Sequence, residues 1–473
     1  MEKNREYLSE QLVAIIAPAG YGKTEEIAEA IKECDEKQLI LTHTNAGVDT
    51  LQDRLKVKNI GKNKYELDTI ASFCMKWCKA YPVSSNTNIS QRVSEIDFLE
   101  IYEGTRRLFS KNWARQILKQ TYSGIFIDEY QDCTLSQHDL FMELKDIVPV
   151  RIYGDPLQGI FYWVDEDKIV DWKTFSFKVI RPLKIPYRWE NTNIKLGSLL
   201  DALRKKILPV LDGKEVTINL RDIPGCMVVL NSQQWDNGRF VYKIKHYEDI
   251  VYLSRFQNKQ QSFSRHNGGF FQCDEVKDLA EVEKIVISIE TEKNEKKALM
   301  LLKTLKSMIN GIQSELGPYI KNLEKGKADF TRIKKHKEVG MLIKEICINN
   351  SKESVLELLR WFWESKEFNV YRKEMLYRTG KIYAYMTEEG VCLEDALEML
   401  STRQYFTGSR FLFSRISSRT VLTKGLEFDC VIIDARDKMD ARDFYVAMTR
   451  AKRHIYVISD TNKLCFDGIS YAQ

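Results

Sequence analysis

Leu12-Val13-Ala14-Ile15-Ile16-Ala17-Pro18-Ala19-Gly20-Tyr21-Gly22-Lys23-Thr24 decides how the rest of this chain is read. Its first five residues are a continuous apolar run, short enough for a strand buried on both faces. A glycine loop follows, and Glu25 to Glu33 then reads as a helix. Strand, loop and helix in that order build an anion site. Backbone N–H groups of residues 20 to 24 can wrap a phosphate at the positive end of the helix. Lys23 supplies a cation to the β- and γ-phosphate oxygens, and Thr24 offers a hydroxyl to Mg2+. Gly20, Tyr21, Gly22, Lys23 and Thr24 are therefore the expected nucleotide contacts. Ala17 stands where the strict pattern has glycine, so the flanking strand and helix carry the reading.

Working outward, similar buried-strand runs occur at Gln38 to Thr42, Gly124 to Ile127 and Val150 to Tyr153, with helical stretches between them. That alternation predicts an α/β domain with a mainly parallel sheet. Two of these strands end in polar groups. Ile125-Phe126-Ile127-Asp128-Glu129-Tyr130-Gln131-Asp132 places two carboxylates just past an apolar strand. Asp128 can hold Mg2+ and Glu129 can polarise an attacking water. Gly154-Asp155-Pro156-Leu157-Gln158 puts Gln158 on the same rim, suited to sensing a γ-phosphate or that water.

A second set of strand runs, at Asp249 to Ser254, Cys430 to Asp434 and His454 to Ser459, predicts a second α/β domain late in the chain. Between the sets the texture is helical and basic. Residues 291 to 345 hold 13 Lys and Arg against 7 Asp and Glu, with Leu299, Leu302, Leu305, Ile309 and Ile312 at helical spacing. Such a segment is apolar enough to pack as an inserted helical unit.

Composition removes other classes. At 473 residues, 44% hydrophobic and 29% charged, the chain is neither fibrous nor broadly disordered. A net charge of +5 is too weak for a histone-like electrostatic binder, although a local basic surface is compatible with it. No apolar run approaches a membrane span, and no signal peptide is read at the start. Ten cysteines lack the two-pair spacing of a zinc ribbon, and Cys74 and Cys78, the one close pair, are read as buried. A reducing, cytoplasmic compartment is the expectation.

Four motifs now stand in order: Asp128-Glu129-Tyr130-Gln131-Asp132, Gly154-Asp155-Pro156-Leu157-Gln158, Lys424-Gly425-Leu426-Glu427-Phe428-Asp429 and Tyr445-Val446-Ala447-Met448-Thr449-Arg450-Ala451. Together they resemble the UvrD/Rep/PcrA group of superfamily-one DNA helicases, from about residue 12 to 459. The resemblance implies two RecA-like P-loop NTPase domains with parallel sheets and two small, mainly helical inserted subdomains. It places residues 1–81 and 122–190 in the first RecA-like domain, and 82–121 in a reduced first insertion. It places 191–290 and 400–473 in the second RecA-like domain, and 291–399 in the second insertion.

It also implies roles residue by residue. Tyr187 resembles the tyrosine that stacks on adenine, and Arg188 the arginine that reaches the γ-phosphate. Glu427 is similar to the ribose-holding glutamate, and Arg450 to the arginine finger, both arginines being expected from across a cleft. Phe161 and Trp163 match the rings that stack between bases. Thr42, Asn45, Thr69 and Phe73 lie in stretches resembling the backbone-gripping motifs. The implied activity is ATP hydrolysis, with Mg2+, coupled to 3′ to 5′ movement on single-stranded or tailed duplex DNA.

Some positions depart from the family. His43 replaces the usual Phe, Ala71 the usual His, and the stretch before Lys424 lacks a His. Gln11 stands too close to the loop to match the adenine-reading glutamine. The trimmed insertions resemble the helicase subunit of Gabija-type phage defence, which works beside an OLD-family nuclease. A nuclease partner, in phage defence or DNA repair, is thus implied. The alternative is an ATP-binding sensor of DNA ends that regulates such a nuclease with little unwinding of its own.

Overall fold

The computed structural model describes residues 5–89, 97–160, 168–172, 177–220, 227–230, 239–274, 279–407 and 413–469. Phe161 and Trp163 lie outside them. By contacts the chain divides into two compact units: Met1–Gln91, Glu95–Ser232 and Thr423–Gln473 form the first, and Arg92–Ser94 with Gln233–Leu422 the second.

The first unit is built on six parallel strands, β1 (Leu12–Ile16), β2 (Gln38–Thr42), β3 (Tyr65–Thr69), β4 (Gly124–Ile127), β5 (Val150–Gly154) and β6 (Lys178–Ile180). They lie in the order β3-β2-β4-β5-β1-β6. The register sets Ile16 beside Gly154 and Ile127 beside Ile152, so the strands end along one edge. Ligand groups on an open parallel sheet gather at that carboxyl edge. β2, β4 and β5 are buried throughout, which accounts for their unbroken apolar runs. Val13, Ile15, Ile27, Ile31, Ile40, Leu51, Leu55 and Phe126 pack into one cluster between sheet and helices. Each contributes roughly 1.5–3 kcal/mol by leaving water.

β3 and β6 escaped the sequence reading. Tyr65-Glu66-Leu67-Asp68-Thr69 mixes polar and apolar residues, and Lys178-Val179-Ile180 is only three residues long. Both are edge strands, and an edge strand needs no continuous apolar run.

The same unit carries short helices Pro82–Ser85, Phe98–Phe109 and Asn112–Thr121. It also holds Ile194–Ile207 and Ala441–Met448. Its later strands are β7 (Val216–Asn219) and β8 (Met227–Leu230), which belong with C-terminal partners numbered below.

The second unit holds β9 (Ile250–Ser254), β10 (Gln272–Cys273), the short antiparallel pair β11 (Ile309–Asn310) and β12 (Asn369–Val370), and β13 (Arg415–Arg419). β13 pairs parallel with both β9 and β10. Helices Ala280–Glu290, Asn294–Lys306, Lys337–Asn349, Lys352–Glu364 and Lys373–Glu388 surround a separate core. Leu301, Leu302, Leu305, Ile343, Leu358 and Phe362 lie at its centre. Buried charges there are paired: Lys297 bonds Glu290 at 2.9 Å, and Arg378 bonds Glu374 at 2.5 Å.

The chain returns to the first unit with β14 (Phe428–Asp434), β15 (Ala451–Ile458) and β16 (Lys463–Phe466). β15 pairs parallel with β14 and β8, while β16 pairs antiparallel with β7. The chain is thus mixed α/β with parallel strands in both units, as its motifs imply for two RecA-like sheets. Among the described residues no helix is long and apolar enough to cross a membrane, and no group of three His, Cys, Asp or Glu could hold a metal ion. Cys74 and Cys78 are free and buried.

Candidate nucleotide-hydrolysis site

β1 stops at Ile16 and the glycine loop turns over the sheet edge into the helix Lys23–Glu33. Gly20 and Gly22 both have left-handed backbone, φ +74° and +82°. A side chain would also clash at Gly20 and be crowded at Gly22. A Cβ on Gly20 would lie 2.7 Å from the Trp189 ring, and one on Gly22 would lie 3.1 Å from the Tyr187 ring. Tyr187-Arg188-Trp189 therefore lies directly over the loop, and the Arg188 backbone N–H donates to the Gly20 carbonyl at 3.1 Å. Tyr187 keeps a partly exposed ring. Tyr21 turns away, its hydroxyl donating to Asp201 at 3.2 Å.

Lys23 is buried and its ammonium donates to the Ala17 carbonyl at 3.0 Å and the Pro18 carbonyl at 3.3 Å. Burial pulls its pKa below the ordinary lysine value, while Glu129, Asp155 and Asp128 oppose that shift. Thr24 Oγ1 donates to Asp128 Oδ2 at 3.5 Å, so the two expected Mg2+ contacts are adjacent.

Past β4 the backbone at Glu129 is left-handed, φ 56° and ψ 38°, a costly conformation for a residue with a side chain. Asp128 accepts the Glu129 N–H at 2.9 Å and stabilises the turn. Burial, and then Glu129, push the Asp128 carboxyl up to about 7. Burial acts the same way on Glu129, but Lys424, Lys23, the Gln131 hydrogen bond and Arg450 together hold that carboxyl below its ordinary value. The pair is thus one carboxyl that resists ionisation beside one kept ionised.

Gln131 sets the orientation of Glu129. Its amide nitrogen donates to the Glu129 carboxylate, and its oxygen accepts the Asp155 backbone N–H at 3.0 Å. Gln158 is buried, and its Nε2 has no hydrogen-bond partner among the described residues. A buried donor left unmade costs about 1–3 kcal/mol, so this amide is poised for an acceptor such as a phosphate oxygen or water.

Arg188 and Arg450, expected from across a domain cleft, belong by contacts to the same unit as Lys23. Arg188 pairs with Glu427 at 2.7 Å and donates to the Thr449 carbonyl. Trp189 Nε1 donates to the Ala451 carbonyl at 2.7 Å. The reason for this gathering is the helix Ala441–Met448. From it the Tyr445 hydroxyl donates to Asp155 at 3.0 Å and accepts the Ala19 N–H at 3.3 Å. Arg450 is buried, with Nε on the Val446 carbonyl at 3.1 Å and NH1 on the Leu426 carbonyl at 3.3 Å. Burial and the neighbouring Arg188 lower its pKa to about 10, so it stays a cation at neutral pH.

The strand-contact candidates fare differently. Thr42 is buried at the end of β2, and Thr69 is a helix cap, its hydroxyl accepting the Ser72 N–H at 3.1 Å. Phe73 is a core ring stacked on Phe109 at 6.4 Å. Packing and capping account for these three side chains in the fold. Asn45 remains exposed at the head of the helix Asn45–Val57. His43, the family departure, sets its Nε2 3.4 Å from Cys133 Sγ, and burial lowers its pKa to about 4. Gln11 donates to the Lys145 carbonyl and so does not face the loop.

Five residues join the site that the sequence reading did not assign. Lys424 pairs with Asp132 and donates to the Gln158 carbonyl at 2.7 Å. Asp155 is wholly buried and held by Arg204 at 2.7 Å. Tyr445, Asp132, Asp155 and Lys424 sit inside quoted motifs, where each gave a usable signal. Arg204 gave none, because only the packing of the helix Ile194–Ile207 brings it near.

Comparison with known proteins gives two family-model matches, an AAA domain over residues 2–162 and a UvrD-like helicase C-terminal domain over 422–458. Gabija protein GajB from Bacillus cereus (strain VD045) is 48% identical over 52 residues, which is 11% of this chain and 10% of that protein. The match thus spans about a tenth of that relative's length. Among solved structures, a complex of arterivirus nonstructural protein 10 (helicase) with DNA overlays with TM-score 0.35 and 9% identity, covering 95% of this chain and 61% of that one. Pif1 helicase from Bacteroides with ADP-AlF3 and ssDNA overlays with TM-score 0.30 and 11% identity, covering 55% and 53%.

Proposed function

We propose that this chain, which belongs by its two terminal matches and ordered motifs to the UvrD-like superfamily-one helicases, hydrolyses ATP to move 3′ to 5′ on single-stranded DNA. The observation that carries the reading is the gathering of Lys23, Asp128, Glu129, Gln158, Arg188 and Arg450 in one compact unit. On this reading Lys23 and the loop N–H groups bind the β- and γ-phosphates. Glu129 takes the proton of the attacking water, Gln158 orients that water, and Arg188 and Arg450 neutralise charge developing on the γ-phosphoryl group.

A divalent cation suits the neighbourhood of Thr24 and Asp128. Two buried, adjacent carboxylates leave Asp128 reluctant to ionise, and a cation would relieve that. Bound Mg2+ supplies charge neutralisation at the phosphates. Tyr187 is proposed to stack on the base and Glu427 to hold the ribose. The proposed strand contacts are Thr42, Asn45, Thr69, Phe73, Phe161 and Trp163, of which Asn45 is exposed. The division into two RecA-like domains, with insertions at 82–121 and 291–399, is proposed on the same footing. A nuclease partner and a defence or repair role rest on the short GajB-like stretch.

The test is ATP turnover with and without a single-stranded oligonucleotide, with Lys23→Ala as control. Stimulation by DNA, abolished in the variant, supports the reading, and turnover indifferent to DNA overturns it. Duplexes tailed at 3′ or at 5′ then separate polarity. Turnover without strand separation on either duplex favours a DNA-end sensor that regulates a nuclease.

A further inference from the structure

The helix Gln257–His266 packs on β9 and β13 in the second unit, which holds none of the residues proposed above for hydrolysis. Gln260, Phe263 and Ser264 are the residues it buries. Phe263 stacks on Tyr252 of β9, with ring centroids 3.8 Å apart and planes 4° from parallel. That part of the seam is apolar and filled. The rest is polar. Gln260 and Ser264 stand one turn apart on the same helix face, and both are 0% exposed. Ser417 of β13, in register with Tyr252, is equally buried. Its hydroxyl is already committed, donating to the Gln260 carbonyl at 3.0 Å. Gln260 Nε2, Gln260 Oε1 and Ser264 Oγ have no hydrogen-bond partner among the described residues.

A buried amide left wholly unmade is strongly unfavourable, and native interiors satisfy such groups with protein or with ordered water. Gln260 offers a donor and an acceptor, and the Ser264 hydroxyl beside it can do either. Neither side chain carries charge, so together they suit a small neutral ligand that both donates and accepts. We propose that a buried water binds between the helix Gln257–His266 and its sheet, held by the Gln260 amide and the Ser264 hydroxyl, and completes the packing of that helix. The site stands whether or not the chain hydrolyses ATP.

The test is a high-resolution crystal structure of the full chain, together with thermal melts of Gln260→Met, Ser264→Ala and the double variant. Solvent density within about 2.7–3.2 Å of both the Gln260 amide and the Ser264 hydroxyl is expected. Direct contact between the two side chains, or a seam without solvent density, overturns the proposal. Met matches Gln in length but lacks the amide. In a dry seam, Gln260→Met would remove unmade polar atoms and raise the melting temperature. With the water in place it strands the Ser264 hydroxyl, and melting should fall by about 2–6 °C. Ser264→Ala should lower it less. The double variant should lose less than the sum of the two, because either change alone dislodges the same water. A rise in Gln260→Met, or strictly additive losses, would also overturn the site. Should Gln260→Met fail to fold, the wild-type density and the loss of its solvent peak in Ser264→Ala decide the matter, and a peak unmoved in that variant counts against the shared water.

Discussion

The Arg188 guanidinium and the Glu427 carboxylate form an ion pair at 2.7 Å. The motif resemblance assigns these residues to opposite ends of a nucleotide, the γ-phosphate and the ribose. On the proposed roles, a nucleotide would compete with the protein's own ion pair for both groups. Glu427 is 42% exposed, so the pair stabilises the fold by no more than about 0.5–1 kcal/mol. A double-mutant cycle of Arg188→Ala, Glu427→Ala and the double variant should give a coupling of roughly that size in thermal stability. In turnover, Arg188→Ala should lower kcat by about 10²-fold or more, and Glu427→Ala should chiefly raise the ATP KM. Equal effects of both variants on kcat would refute the separate assignments.

Asp128 should limit stability at alkaline pH. Its carboxyl is raised to about 7 in the folded chain, against an ordinary aspartate value near 3.9 unfolded. The native state thus holds the proton more tightly, and stability falls as pH rises from about 4 through 7. Asp128→Asn removes that loss. The variant should melt higher than wild type at pH 8, by on the order of 1–3 kcal/mol, and match it only below about pH 4. It should hydrolyse no ATP. Added Mg2+ should raise the wild-type melting temperature and leave the variant's unchanged. Equal melting of the two chains at pH 8 without Mg2+ would contradict the buried-pair account.

Gln158 should act on rate and hardly on ATP affinity. Its buried Nε2 has no acceptor among the described residues, so replacing it with Ala removes an unmade donor from the folded chain. Gln158→Ala is expected to keep or slightly raise the melting temperature while kcat falls about 10²-fold. A variant with wild-type kcat would show that the amide does not address the reacting groups.

The basic stretch running from the helix Gly317–Glu324 into the helix Lys337–Asn349 offers a third kind of test. Lys321, Lys325, Lys327, Lys334 and Lys337 are all exposed there. The loop between the helices is anchored, with the Tyr319 hydroxyl on the Lys335 carbonyl at 2.7 Å and Asn322 on the Asp329 carbonyl at 2.7 Å. Replacing the five lysines by Gln should flatten the salt dependence of duplex binding by roughly 0.9 for each phosphate no longer neutralised. The ATP KM should not change. An unaltered salt slope would assign the stretch to solvent.

Much of the site was legible because a strand end and a tight turn are local. Leu12–Ile16 with Gly20, Gly22 and Lys23 declares the phosphate loop, and Ile125 to Glu129 declares the acidic strand end. The parallel strands of the first sheet were readable wherever burial on both faces demanded an unbroken apolar run. Edge strands β3 and β6 are free of that demand and were missed.

Tertiary structure decided what local pattern cannot carry, because contacts between distant segments leave no periodicity. It made Phe73 a core ring and Thr69 a cap, although both sit in stretches resembling a strand grip. It placed Arg188 on Glu427, Tyr445 on Asp155 and Lys424 on Asp132. The sequence by itself determined which chemical groups the chain owns and at which strand ends they stand. Only the folded chain decided which charges meet, and therefore that Glu129 stays ionised while Asp128 beside it resists ionisation. That division depends on burial and on cations brought from hundreds of residues away.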